Sequence, residues 1–243
     1  MSVPVLQDKV ALITGASSGI GEGLAKLMAQ LGMTVALAAR RESELRRVAE
    51  EIHEAGGQAR TFPANLLNRE QVDSLVDRVV EDLGPVDALV HSAGTIDFKP
   101  LHELDPTSWD AVFEVNLRAA AILTANVLPG MRQRRRGWII HVSSEAGIVT
   151  YPGMGAYGIS KHALCALTEL VQVENQEEGI KAWALCPGET ATERATKLST
   201  PDQIERFLQV SDILDVARLL LTQDDNVKLG PIIHIATTLN PNA

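Results

Sequence analysis

Apolar and polar positions along the chain fall into two alternating patterns. Continuous apolar or β-branched runs occupy 10–13, 35–38, 59–62, 86–90, 138–142, 181–185 and 232–235. Short runs with little polar alternation suit strands covered on both faces, the usual state of a parallel sheet. Between them lie stretches of helical length. In 20–31, Leu24, Leu27, Met28 and Leu31 recur at three- and four-residue spacing. In 71–83, Val72, Leu75, Val76, Val79, Val80 and Leu83 form one apolar stripe. Further helices are predicted over 42–55, 108–136, 157–178 and 213–222. Gly32 and Gly137 follow two of these helices, where glycine serves as a C-terminal cap. Alternation this regular reads as right-handed βαβ units in a doubly wound α/β sheet. No repeat, low-complexity tract or linker interrupts it, so one domain over 1–243 is expected. The least regular stretch, 187–209, has the length of a lid loop.

Charge narrows the partners. Lys and Arg number 22 against 31 Asp and Glu, a formal net charge of −9. That balance argues against sequence-independent nucleic-acid binding and against an anionic membrane surface. No apolar run reaches the roughly 18 residues of a membrane span. The N-terminal segment carries no charged leader with an apolar stretch and cleavage site, so a cytoplasmic location is expected. Cys165 and Cys186 lack CxxC spacing and are expected to be buried core thiols. His53, His91, His102, His141, His162 and His234 show no metal-ligand spacing, so no metal site is expected. Arg132, Arg134, Arg135 and Arg136 read as a solvated helix end that complements the helix dipole.

The first candidate chemistry lies directly after the first strand, in Thr14-Gly15-Ala16-Ser17-Ser18-Gly19-Ile20-Gly21. Glycines between a strand and a helix allow a tight turn and close approach of the backbone to a pyrophosphate. The helix then presents unbonded N–H groups to that anion. A Lys-Ser or Lys-Thr end to the loop is absent, which excludes a Walker-type nucleoside triphosphate site. After the second strand, where many such folds place an acid for the ribose hydroxyls, stand Ala39, Arg40 and Arg41. A guanidinium there favours a 2′-phosphate and hence NADP(H); the alternative is that both arginines merely open a charged helix.

The second candidate is Tyr157 followed by Lys161, one of only two tyrosines with a lysine on the same helical face. A cation beside a phenol favours phenolate, and a phenol so tuned passes protons near neutral pH. Ser143 and Ser144 end the fifth strand, and Asn116 sits within an apolar helix where an amide is disfavoured. A serine hydroxyl can hold a substrate oxygen, and the amide can hold a water. Glu145 and Glu189 either face a polar or cationic substrate or are solvated loop carboxylates.

Together these residues resemble the short-chain dehydrogenase/reductase family over essentially the whole chain. The resemblance rests on Gly15, Gly19 and Gly21, on Ser92-Ala93-Gly94, on Asn116, Ser144, Tyr157 and Lys161, and on Pro187-Gly188 followed by Thr192. It implies a Rossmann-type parallel sheet of seven strands with helices on both faces. It also implies hydride transfer between NAD(P)H and a carbonyl or alcohol. By that resemblance Tyr157 is the general acid/base and Lys161 holds the nicotinamide ribose. Ser144 orients the substrate oxygen, and Asn116 supports a water relay to Lys161. Gly15, Ser17, Ser18, Gly19, Ile20, Gly21, Arg40, Arg41, Asn65, Leu66, Ser92, Ala93 and Gly94 would contact the cofactor, with Pro187, Gly188, Thr190 and Thr192 at its nicotinamide end.

The expected protein is an NADPH-dependent ketone or aldehyde reductase acting on a small carbonyl or alcohol, and a homodimer or homotetramer. An NAD-linked alcohol dehydrogenase and a non-catalytic dinucleotide sensor are the alternatives. The substrate pocket is expected from 95–98, 145–154 and 189–207. The sequence departs from the family pattern in three places: His91-Ser92 replaces a pair of asparagines, Asn65 replaces an aspartate, and no Asp-Gly-Gly follows the last strand.

Overall fold

The computed structural model describes residues 6–197, 199–224 and 227–237. The N-terminal segment read for a leader, at 1–5, and the atypical tail beyond 237 lie outside the described residues. Among the described residues, seven strands form one parallel sheet in the order β3-β2-β1-β4-β5-β6-β7. They are β1 Val10–Thr14, β2 Thr34–Ala39, β3 Gln58–Pro63, β4 Val86–His91, β5 Gly137–Val142, β6 Ile180–Pro187 and β7 Ile232–Ile235. The helices are α1 Gly19–Gln30, α2 Glu42–Glu54, α3 Arg69–Asp73, α4 Leu75–Leu83, α5 Pro106–Phe113, α6 Ala119–Arg134, α7 Gly155–Asn175, α8 Glu193–Thr196, α9 Pro201–Ile204 and α10 Val210–Thr222.

The two-residue alternation of each strand feeds two cores. Ala11 and Ile13 join Leu24 and Leu27 of α1, Leu45 of α2 and Ile213 of α10 on one face. Val10 and Leu12 join Leu75 of α4, Leu123 of α6 and Val171 of α7 on the other. The expected doubly wound sheet with helices on both faces is present, and all seven expected strands fall within one or two residues of their sequence positions.

Several local expectations need correction. The helix expected over 71–83 is broken at Ser74, whose Oγ donates to Glu70 O at 2.9 Å and competes with the backbone ladder. Gly137 does not cap the long helix. Arg135 takes the left-handed turn at φ 52°, tied by its guanidinium to Glu178 Oε2 at 2.9 Å and Glu177 O at 2.7 Å. Gly137 instead opens β5, where a side chain would collide with Met131. The arginine run is exposed, as expected of a helix end, and it also bonds back to the chain. Arg132 donates to Asn175 Oδ1 at 2.7 Å, Arg134 donates to Val86 O at 2.7 Å, and Arg136 lies over the Trp138 ring at 4.9 Å. The helix continuous from Pro106 to Arg134 is long and apolar enough to cross a membrane by length and composition. Its Ala120, Leu123, Val127 and Met131 are buried, as in a core helix.

Candidate active site

Strand order reverses between β1 and β4, and a crevice opens there beyond the C-terminal ends of the strands. The loop after β1 forms its floor. Gly15 adopts φ +69°, and a Cβ on it would stand 2.7 Å from Ala93 N, so the turn lies directly against the Ser92–Ala93 backbone. Gly19, at φ +57°, faces the methyl of Thr192, which would sit 3.2 Å from an added Cβ. Ser18 precedes α1 without bonding its side chain to the first-turn N–H groups. Those donors are therefore left for an anion, the property for which the loop was singled out. Ile20 packs its side chain on the core, leaving its backbone at the helix start.

The two arginines differ. Arg41 Nη2 donates to Ser18 Oγ at 3.2 Å and Ser17 Oγ at 3.3 Å, which places its guanidinium on the glycine-rich loop. Arg40 is exposed beside it. Asn65 Oδ1 accepts from Leu67 N at 3.2 Å and so closes a local turn, while Leu66 buries its side chain and offers only backbone to the crevice. Across the crevice, Gly188 N donates to Ile235 O at 2.8 Å and Thr190 Oγ1 donates to Gly188 O at 3.0 Å. Segment 191–207 carries α8 and α9 and is pinned at its neck, where Ala191 N donates to Leu208 O at 2.8 Å and Leu208 N to Glu189 O at 2.9 Å.

The catalytic candidates converge at the open end of β4 and β5. Within the helix Pro106–Arg134, residues Glu114–Arg118 form a π turn. Ala119 N reaches back to Glu114 O rather than Val115 O. Asn116 sits in this widened turn, fully buried. Its Oδ1 accepts from Thr95 N at 2.8 Å, and its Nδ2 donates to Thr95 O at 2.9 Å and Ser160 Oγ at 3.0 Å. Both amide protons are taken, so this side chain braces the loop after β4 against α7. Lys161 is buried and donates from Nζ to Val142 O at 2.8 Å. The same Nζ lies 5.7 Å from the centroid of the Tyr157 ring and 3.7 Å from where a Cβ would stand on Gly94. Ser144 Oγ accepts from Ala146 N at 3.1 Å, which directs its own proton elsewhere. Phe98 meets Tyr157 edge-to-face at 5.9 Å between centroids.

A family model described as short chain dehydrogenase matches residues 9–203. The chain belongs to the short-chain dehydrogenase family. An uncharacterised oxidoreductase of Listeria innocua is 36% identical, with 96% of this chain and 98% of that protein covered. A glycine betaine reductase of Emericella nidulans is 34% identical over 94% of this chain, which spans only 19% of that much longer protein. Among solved structures, a metagenomic short-chain oxidoreductase in complex with NADP superposes with a TM-score of 0.84 at 33% identity, covering 96% of this chain and 99% of the other.

This short-chain dehydrogenase also shows site residues that sequence reasoning passed over. His91 was set aside as structural, yet it connects the two halves of the crevice. Its Nε2 donates to Val115 O at 3.1 Å, the carbonyl that the π turn leaves without its helical donor, and Nδ1 accepts from Thr14 Oγ1 at 3.1 Å. Thr14 Oγ1 in turn accepts from Ala93 N at 3.3 Å. Burial first, and then the charges of His141 and Lys161, push His91 down to about 3, so the ring is neutral. Ser160, which passes its proton to Tyr157 O at 2.7 Å, and the Val142 carbonyl were also missed. A serine one position before a catalytic lysine carries no distinguishing pattern, and a carbonyl carries none at all.

The two cysteines are buried as expected. Although 21 residues apart in sequence, their sulfurs lie 3.6 Å from each other. Hydrogen bonding with Cys186 lowers the Cys165 thiol and raises that of Cys186. Of the two candidate carboxylates, Glu145 is buried beside Ser144 and Glu189 is exposed. Among the described residues no three His, Cys, Asp or Glu side chains converge as a metal site.

Proposed function

We propose that this enzyme is an NADPH-dependent carbonyl reductase, reversible as an alcohol dehydrogenase, with Tyr157 as its general acid/base. The observation that carries the reading is the convergence of the Lys161 ammonium on the Tyr157 ring at 5.7 Å, at the mouth of a glycine cradle. The residues fit the cofactor: a Cβ at Gly15 would strike the Ala93 backbone, and Arg41 lies on the phosphate-facing serines. The relatives solved with NADP support the same choice, among them a chain from Beutenbergia cavernae with a TM-score of 0.88 at 28% identity. When bound, NADPH supplies the hydride.

The chain's own groups do the rest. The Ser144 hydroxyl, accepting from Ala146 N, donates its proton to the substrate carbonyl oxygen. The Tyr157 phenol, whose ionised form is favoured by the nearby Lys161 ammonium, gives a proton to that oxygen as an alkoxide develops. Val142 O fixes the ammonium, and Asn116 fixes the helix that carries both side chains. Arg41, with Arg40 next to it, holds the 2′-phosphate. Asn65, Leu66, Thr190 and Thr192 line the ends of the cofactor. A cytoplasmic homodimer or homotetramer acting on small carbonyl compounds completes the reading.

The test is Tyr157→Phe. The variant is expected to fold, to bind NADPH with unchanged affinity and to lose at least about a hundredfold in turnover across ketones and aldehydes. Turnover near the wild-type rate would overturn the assignment of the acid/base.

A further inference from the structure

Glu145 directly follows Ser144 and opens the short turn Glu145–Gly147. It is only 7% exposed, an unusual place for a carboxylate. Its Oε1 lies 3.2 Å from Nε2 of His234 on β7. Its Oε2 lies 3.7 Å from where a side-chain carbon would stand on Gly188, just past β6. The Tyr151 hydroxyl is a neighbour of this carboxylate. That hydroxyl is buried and meets the geometric criteria for no hydrogen bond among the described residues. Burial first, then the neighbouring Glu145 carboxylate, holds that phenol above its ordinary range. A buried hydroxyl left in this state beside a buried carboxylate calls for a partner that the chain does not supply.

We propose that Glu145 and Tyr151 form a subsite for a hydroxyl group of the substrate and set a preference for hydroxy-carbonyl compounds. One hydroxyl satisfies both atoms: it donates to Glu145 Oε2 and accepts from the Tyr151 O–H. A methyl group in its place satisfies neither and leaves the carboxylate desolvated, the situation in which polar sites discriminate most strongly. The subsite adjoins the reacting oxygen because Glu145 is the next residue after Ser144, about 3.8 Å along the backbone. The preferred hydroxyl is therefore on a carbon adjacent to the carbonyl, or one further along. Glu189, exposed on the far side of Gly188, takes no part.

The inference rests on the reductase reading, and the experiment separates the two. Initial rates with NADPH are measured for 1-hydroxybutan-2-one and for pentan-3-one, which differ only by a methyl in place of the hydroxyl. Wild type is expected to favour the hydroxyketone at least tenfold in kcat/KM. Glu145→Leu should lower kcat/KM for the hydroxyketone at least tenfold and change pentan-3-one less than threefold, with NADPH affinity unchanged. Tyr151→Phe, a substitution that keeps the ring in place, should reduce the preference by a smaller factor in the same direction. Equal losses on both ketones in Glu145→Leu would assign the carboxylate to anchoring His234 and overturn the subsite. A wild type that reduces both ketones without preference would also overturn it. A wild type that reduces no carbonyl compound would overturn the reductase reading and the subsite together.

Discussion

The cofactor side and the catalytic side of the crevice are built by opposite means. On the cofactor side, β1, β2 and α1 present a backbone loop flanked by the exposed side chains of Arg40 and Arg41, to which the proposed function assigns the choice of cofactor. On the catalytic side, Asn116, Lys161, Ser160 and His91 are buried and their polar atoms hydrogen-bond to one another, to Thr14 or to backbone carbonyls. An exposed guanidinium can be exchanged at little cost to folding. A buried polar network cannot lose a member without stranding the rest. The choice of cofactor is therefore separable from stability, whereas catalysis is not.

The sharpest test of that contrast is Lys161→Met. We expect a loss of about a thousandfold in kcat, of the order that positioned acid/base groups supply. Methionine fills the volume but strands the buried Val142 O, so unfolding free energy should drop as well, by about 1–3 kcal/mol. Next is Asn116→Ala, which strands Thr95 N, Thr95 O and Ser160 Oγ in the interior. Urea unfolding should show a loss of about 3 kcal/mol, with activity falling alongside. An unchanged midpoint would mean that the network is not what holds the π turn.

The third test uses pH. His91 and His141 are held near 3 in the folded protein, chiefly by burial, against 6.5 for the free side chain. Folded pKa values below unfolded ones mean that the unfolded chain binds protons first as pH falls. Their contribution to stability is complete above pH 6.5 and is lost as pH drops toward 3. Each should add a slope of roughly 1 kcal/mol per pH unit between those limits. His91→Asn should remove about half of the histidine-dependent slope; an unaltered slope would show that the ring is not buried and neutral. The smallest effect on folding belongs to Arg41→Ala. NADPH affinity should fall about tenfold to a hundredfold and NADH affinity less than threefold, with stability within about 0.5 kcal/mol of wild type. Equal losses with both dinucleotides would refute the phosphate contact. A stability loss above about 2 kcal/mol would erase the contrast between the two sides.

The strands were legible because their apolar runs are uninterrupted, and the glycine loop because only glycine tolerates Gly15's contact with Ala93. Tyr157, Lys161, Ser144 and Asn116 were singled out through spacing, and the fold gathers them at the open end of β4 and β5. The functions of His91 and Ser160 were not, since both act through partners 24 or more residues away. Gly137 was misread for a related reason: its requirement comes from Met131 across a turn rather than from the helix end.

The sequence by itself determined the strand and helix periods, the position of the glycine-rich loop and the chemical types of the candidate reacting groups, because each depends on local pattern or on side-chain type. Only the tertiary structure decided which polar atoms satisfy one another. It made Asn116 a brace between Thr95 and Ser160, brought Arg41 rather than Arg40 onto Ser17 and Ser18, and buried Glu145 while leaving Glu189 exposed. Hydrogen-bond partnership and burial depend on residues far apart in the chain, and no local pattern encodes them.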